Sequence, residues 1–177
     1  MALSGGLTLS CSDKGNRRGG VKRLWITDSE NITSFTSGSD HEYNAVVVAS
    51  GTFYKYEFLE FSMSVSNEGA KENGSSIINT SLEFTIPKLD KTKAKKLQEL
   101  VELCTAVIVF EDYNDTYFVS GWCDVLEKGA GMTVTVSEII GAGLQDSAHY
   151  QVSASGISSS LMKAYTGDVT DVTDFEQ

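Results

Sequence analysis

Proline is almost missing from this chain: Pro87 is the only one in 177 residues, beside 16 glycines. That imbalance excludes a Pro/Gly-rich disordered linker and assigns the glycines to turns within a fold. Cysteine is scarce as well. Cys11, Cys104 and Cys123 are an odd number with no C-x-x-C pair, which speaks against a disulfide framework and against a zinc site. His41 and His149 are the only histidines, and neither stands in H-x-x-x-H or beside a cysteine. No apolar run approaches the ~20 residues of a membrane helix, so no membrane partner is expected. The start, MALSGGLTLSCSDKG, lacks the basic-then-apolar layout of a secretory leader. Basic residues are outnumbered, 14 against 24 acidic, for a net charge of −10. A protein that grips nucleic acid broadly needs the opposite balance.

Catalytic patterns are missing too. GAGM at Gly129 and GAG at Gly141 lack the lysine and the strand–helix setting of a phosphate-binding loop. There is no G-x-S-x-G elbow. Glu111, Asp112 and Asp115 bracket a short loop, where turn propensity explains them better than paired acid–base carboxylates or Ca²⁺ ligands. N-x-S/T triplets at Asn31, Asn73, Asn79 and Asn114 are read as turn and strand chemistry. No catalytic, cofactor-binding or metal-ligating residue is therefore nominated, and the chain is read as a non-enzyme without cofactors.

What the chain does have is alternation. VKRLWIT (21–27), the stretch 31–36, YNAVVVA (43–49), SSIINTSLEFTIP (75–87), MTVTVSEII (132–140) and HYQVSA (149–154) read as strands. VIVF (107–110) and YFVSG (117–121) flank Asp112–Asp115 as a hairpin. One helix is expected, about 90–103, capped by Asp90, with Ala94, Leu97, Leu100, Val101 and Cys104 as its apolar stripe and the lysines facing away. No βαβ alternation occurs. The fold class is mainly β: an antiparallel sandwich or barrel with one flanking helix. The expected organisation is an N-terminal arm (1–20), a sandwich domain (21–155) and an acidic C-terminal arm (156–177) that is pliable or docks on a partner.

The stretch GTFYKYEFLEFSMSVS (51–66) poses a specific problem. From Tyr54 aromatics sit on even positions through Phe58, and apolar residues on odd positions from Leu59. A period-2 strand changes its buried face only at a bulge or corner, as when it passes from one sheet to another. Its second half and the strand 75–86 form a long amphipathic hairpin, about 52–86, with a tip at 67–74. Glu60, Ser62, Ser64, Ser81, Glu83 and Thr85 make one face polar. Leu59, Phe61, Met63, Val65, Leu82 and Phe84 make the other apolar. A two-stranded hairpin needs cover for that apolar face and partners for its edges. If the chain cannot supply both, neighbouring copies must, in a ring that shares one barrel with the polar face inward. Arg17, Arg18, Lys22 and Arg23 crowd the basic start, opposite in sign to the acidic end. Head-to-tail pairing of copies and two solvated charge clusters are both open readings of that layout.

VKRLWITDSENITSFT, LEFTIPKLDKTKAKKLQELVE and VIVFEDYNDTYFVSGW followed by GMTVTVSEI resemble tail tube proteins of tailed phages infecting Bacteroidetes, over roughly residues 20–141. The resemblance implies a β-sandwich with one helix, six copies in a ring, and rings stacked into a tube. The polar hairpin face, with Glu60 and Glu83, would line a lumen that conducts double-stranded DNA without binding it. The partners implied are copies of the chain itself and other phage tail proteins, and the location is the virion tail, built in the bacterial host cytoplasm. The alternative reading is an auxiliary capsid or head–tail connecting protein.

Overall fold

The computed structural model describes residues 19–50, 53–72, 75–143, 145–169 and 172. Two antiparallel-rich sheets face each other, with one helix at their flank. The first holds β1 (Val21–Asp28), β2 (Ile32–Ser37), β3 (Glu42–Val48), β4 (Tyr54–Lys55), β7 (Ala106–Asp112), β8 (Tyr117–Ser120) and β13 (Lys163–Tyr165), in the order β2-β3-β13-β8-β7-β1-β4. The second holds β5 (Ser64–Glu72), β6 (Ser75–Pro87), β11 (Thr133–Ile139) and β12 (His149–Ser158), in the order β11-β12-β6-β5. A two-residue pairing of β9 (Trp122–Cys123) with β10 (Lys128–Gly129) stands apart. The expected β-sandwich with one flanking helix is what forms.

Alternation explains the packing. Leu24, Ile26, Ala106, Ile108 and Phe110 point from β1 and β7 toward the four-stranded sheet, where they meet Leu82, Phe84, Ile86, Val134, Tyr150, Val152 and Ala154. Their neighbours Trp25, Val107 and Val109 point the other way, into a second cluster with Phe35, Tyr43, Val46, Phe53, Val119, Trp122 and Tyr165. β1 and β7 are thus covered on both faces, and the run from Ala106 to Glu111 is wholly buried. At Gly121, φ is +90° and an added Cβ would stand 2.4 Å from the Ala106 carbonyl oxygen, so only glycine fits that corner.

The helix α1 (Lys91–Val101) begins where its cap predicts: the Asp90 carboxylate accepts from the Thr92 amide at 3.4 Å. Leu97 and Leu100 enter the core between the sheets, and Ala94 packs against it. Val101 and Cys104, expected in the same stripe, are exposed, because the helix ends at Val101 and the chain turns away.

The change of parity after Phe58 is a change of sheet. Tyr54 and Lys55 pair with β1 in the seven-stranded sheet. The chain then turns at Leu59–Ser62, where the Leu59 carbonyl accepts from the Ser62 amide (3.1 Å) and hydroxyl (2.7 Å), and enters the four-stranded sheet at Ser64. Phe61 takes φ of +58° in this turn. The hairpin proper is therefore 64–87 rather than 52–86, and β5 runs on to Glu72, through most of the segment read as its tip.

Beyond residue 155 the chain is built into the sheets. The boundary expected there falls inside β12, which pairs with β6 as far as Ser158. β13 then lies between β3, to which it is parallel, and β8, to which it is antiparallel. Tyr165 and Val172 are buried. A bond from the Tyr43 hydroxyl to Asp124 (2.7 Å) and an ion pair of Asp124 with Lys163 (2.6 Å) fasten this strand to the β9–β10 turn. Burial, then the Asp124 carboxylate, push the Tyr43 hydroxyl pKa upward, so this hydroxyl keeps its proton. The description "acidic arm" is corrected for residues 156–169. The N-terminal arm, with Arg17 and Arg18, lies outside the described residues.

Candidate functional site: the polar face of the four-stranded sheet

The sheet β11-β12-β6-β5 turns one face to the core and the other to solvent. Register sets the outer face in rows. Ser66 lies opposite Ser81, Ser81 opposite Ser155, and Ser155 opposite Thr133. The next row runs Ser64, Glu83, Ser153, Thr135, and the one after it Thr85, Gln151, Ser137. Cross-strand bonds tie these short side chains to one another: Ser66 with Ser81 at 2.8 Å, Thr135 with Ser153 at 2.6 Å, and Thr85 donating to Gln151 at 3.0 Å. Among the described residues the face carries the carboxylates Glu68 and Glu83 and neither lysine nor arginine. It is a hydroxyl-rich surface with sparse negative charge, with Ile139 and Ile157 exposed toward its ends.

The structure brings four of the nominated polar residues together here: Ser64, Ser81, Glu83 and Thr85. The other two belong to the turn. Glu60 is exposed at its apex. The Ser62 hydroxyl accepts from the Thr85 amide (3.2 Å) while donating to the Leu59 carbonyl, so it anchors the turn to β6. Thr133, Thr135, Ser137, Gln151, Ser153 and Ser155 complete the face and were not nominated. The signal for them was present in the alternations TVTVS and QVSAS, which match the pattern SLEFT of β6.

The nominated apolar residues divide. Met63, Leu82 and Phe84 are buried at 5%, 0% and 0% exposure within the chain's own core, and Val65 is half-buried against it. The opposing seven-stranded sheet and α1 cover most of the hairpin's apolar face, which opens only at the edge beside Met63 and Val65. This corrects the expectation that only other copies can cover them. Leu59 and Phe61 do remain on the surface, at 50% and 79% exposure. Phe61 stacks on Tyr113, with ring centroids 5.6 Å apart.

Lys22 and Arg23, nominated for contacts between copies, are engaged within the chain. The Lys22 ammonium reaches Glu111 at 2.9 Å and Asp115 at 2.7 Å, and the Arg23 guanidinium stands 3.5 Å from Glu111. The hydrogen bond from Lys22 holds the Asp115 carboxyl below its ordinary value, and Asp115 and then Glu111 raise the Lys22 ammonium. This cluster sets two cations against the nearly buried Glu111 carboxylate at the end of β7.

Both outer strands of the sheet lack a further strand partner among the described residues. β5 pairs only with β6, and β11 only with β12. Every neighbouring pair in the sheet is antiparallel, so β5 runs opposite to β11. Among the described residues no group of three or more His, Cys, Asp or Glu could hold a metal ion. Comparison with protein-family models, curated proteins and solved structures finds no match for this chain.

Proposed function

We propose that this protein is the tail tube subunit of a tailed phage. In this reading six copies close into a ring, the four-stranded sheets join edge to edge into one barrel, and stacked rings enclose a bore for double-stranded DNA. The observation that carries the reading is the four-stranded sheet itself, with an outer face of short hydroxyls and sparse carboxylates and two unpaired edges of opposite direction. An open edge presents a row of unpaired amides and carbonyls, and a copy of the same sheet satisfies them. The alternating strand direction lets every such junction be antiparallel, so a ring of identical subunits closes without a mismatch.

The face suits a conduit. Phosphate binding rests on lysine and arginine that release counterions, and this face has none among the described residues. Glu68 and Glu83 repel phosphates over the screening distance of roughly 8–10 Å. Most of the apolar face is covered within each subunit, so the main role of neighbours is to complete edges. Other tail proteins would cap the tube, which would be assembled in the host cytoplasm and carried in the virion tail.

Negative-stain microscopy of the purified full chain, across a range of concentrations, tests the reading. Closed rings or hollow rods are expected. A protein that stays monomeric or stops at a solid trimer would overturn it in favour of a capsid-associated role.

A further inference from the structure

An apolar groove of about 420 Å³ opens along β5, on the side of the sandwich where the four-stranded sheet ends. Its lining includes Val21, Met63, Val65, Phe110, Phe118 and Met162. Met63, Val21 and Phe110 are nearly buried, whereas Val65, Phe118 and Met162 are only partly covered. The opposite edge of the same sheet has the converse feature. Just past β11, Ile140 is 72% exposed, beside Ile139 at 39%.

Strand geometry connects the two. β5 has nine residues and β11 has seven, and the two strands run in opposite directions. An antiparallel junction that pairs all of β11 with β5 allows three placements, since nine positions must accept seven. A one-residue slip exchanges the faces of a strand. The middle placement would align the core-facing Val134 and Val136 of β11 with the outer face of β5, which turns the neighbour's second sheet to the polar side, and it is excluded. The two that remain set Ser64 or Ser66 opposite Ile139, and they bring Ile140 opposite Met63 or Val65. Both of those residues line the groove.

Resting on the ring reading above, we infer that the occupant of this groove is Ile140 of an adjacent copy, and that this contact is the apolar lock of each subunit junction. Charge agrees with the pairing. The first turns of α1, which packs against β11, carry the exposed lysines Lys91, Lys95 and Lys96. The flank of β5 carries the exposed Glu57, Glu60 and Glu68. Lys71 on β5 and Glu138 on β11 are exposed as well, so each edge carries both signs, and the match lies between the first turns of α1 and the glutamates beside β5. Phe61, stacked on Tyr113, stands at the rim, since a side chain at the groove residue Gly20 would meet that same tyrosine ring.

The test uses the full chain with Ile140→Asp. Ile140 is exposed, so thermal unfolding of the monomer is expected to be unchanged while the concentration needed for ring formation, read by sedimentation and microscopy, rises at least tenfold. Ile140→Leu is expected to assemble like the parent. In a background with Cys11 and Cys104 replaced by serine, Ile140→Cys combined with Met63→Cys or with Val65→Cys is expected to give an oxidised ladder up to ring size on a non-reducing gel. If rings form but Ile140→Asp assembles normally and neither pair cross-links, this inference falls while the ring reading stands. If deletion of residues 1–18 abolishes assembly and Ile140→Asp does not, the groove belongs to the N-terminal segment and the inference is overturned. If the parent protein forms no ring under any condition, both fall together.

Discussion

The two sheets of this molecule use the same alternation to different ends. In the seven-stranded sheet, β1 from Leu24 and β7 as far as Glu111 send successive side chains into two separate cores, so that both faces are dry there. In the four-stranded sheet, β6 and β12 send every second side chain into one core and leave the rest to water. A solvent-facing sheet usually carries long charged side chains that keep it soluble and blunt its edges. Here it carries serine and threonine, bonded to each other across strands. The doubly covered sheet is a scaffold, and the half-covered one presents a surface of short side chains.

Four variants would break or sharpen this contrast. The largest effect is expected on the inner face of the half-covered sheet. Phe84 is fully buried and touches Phe58, with ring centroids 5.9 Å apart, so Phe84→Ala should cost about 3–5 kcal/mol in urea unfolding of the monomer. A cost under about 1 kcal/mol would mean that the monomer does not close this face, and would return Phe84 to the contacts between copies.

A smaller effect is expected at the end of β7. Lys22→Met removes the partner of Asp115 and one of the two partners of Glu111, and should lower the unfolding midpoint at neutral pH. The sign with pH follows from the shifts. A depressed Asp115 stabilises the fold above the ordinary carboxylate range and loses that effect as the pH falls. A raised Lys22 stabilises it below the ordinary lysine value and loses that effect as the pH climbs. The gap between wild type and Lys22→Met should therefore be steady from about pH 5 to pH 9 and narrow on either side. A gap that stays constant down to about pH 2 would remove Asp115 from the account.

The smallest effect on stability is expected on the outer face. Ser81→Ala loses one exposed bond to Ser66 and should stay within about 0.5 kcal/mol of wild type. Ser81→Lys with Thr135→Lys should likewise leave melting almost unchanged. Assembled material should then retain DNA in a salt-dependent way that the wild type does not. Equal DNA retention by wild type and variant would count against the polar face lining a bore.

Much of the architecture was legible because it is local. The parity change at Phe58–Leu59 announced the passage between sheets. Asp90 announced the helix start, and Asp112, which accepts from the amides of Asn114 and Thr116, announced the β7–β8 turn. What could not be read depends on partners distant in sequence. Nothing in Leu82 or Phe84 says whether Ile108 and Phe110 or a neighbouring copy will cover them, because amphipathic strands look the same in either case. Lys163–Tyr165 is three residues long in a polar setting, and it becomes a strand only because β3 and β8 stand ready on either side. Lys22 and Arg23 looked like free charge until Glu111, far along the chain, arrived beside them. The candidate face was half visible for the same reason: one hairpin drew attention to itself, while β11 and β12 extend it from elsewhere in the sequence.

The placement of β13 has a consequence for biosynthesis. Because Lys163–Tyr165 fills a gap between two strands that were made much earlier, the larger sheet stays divided until residue 165 has cleared the ribosome. Until then β3 and β8 stand with open edges, and closing the larger sheet waits on a strand far downstream of both.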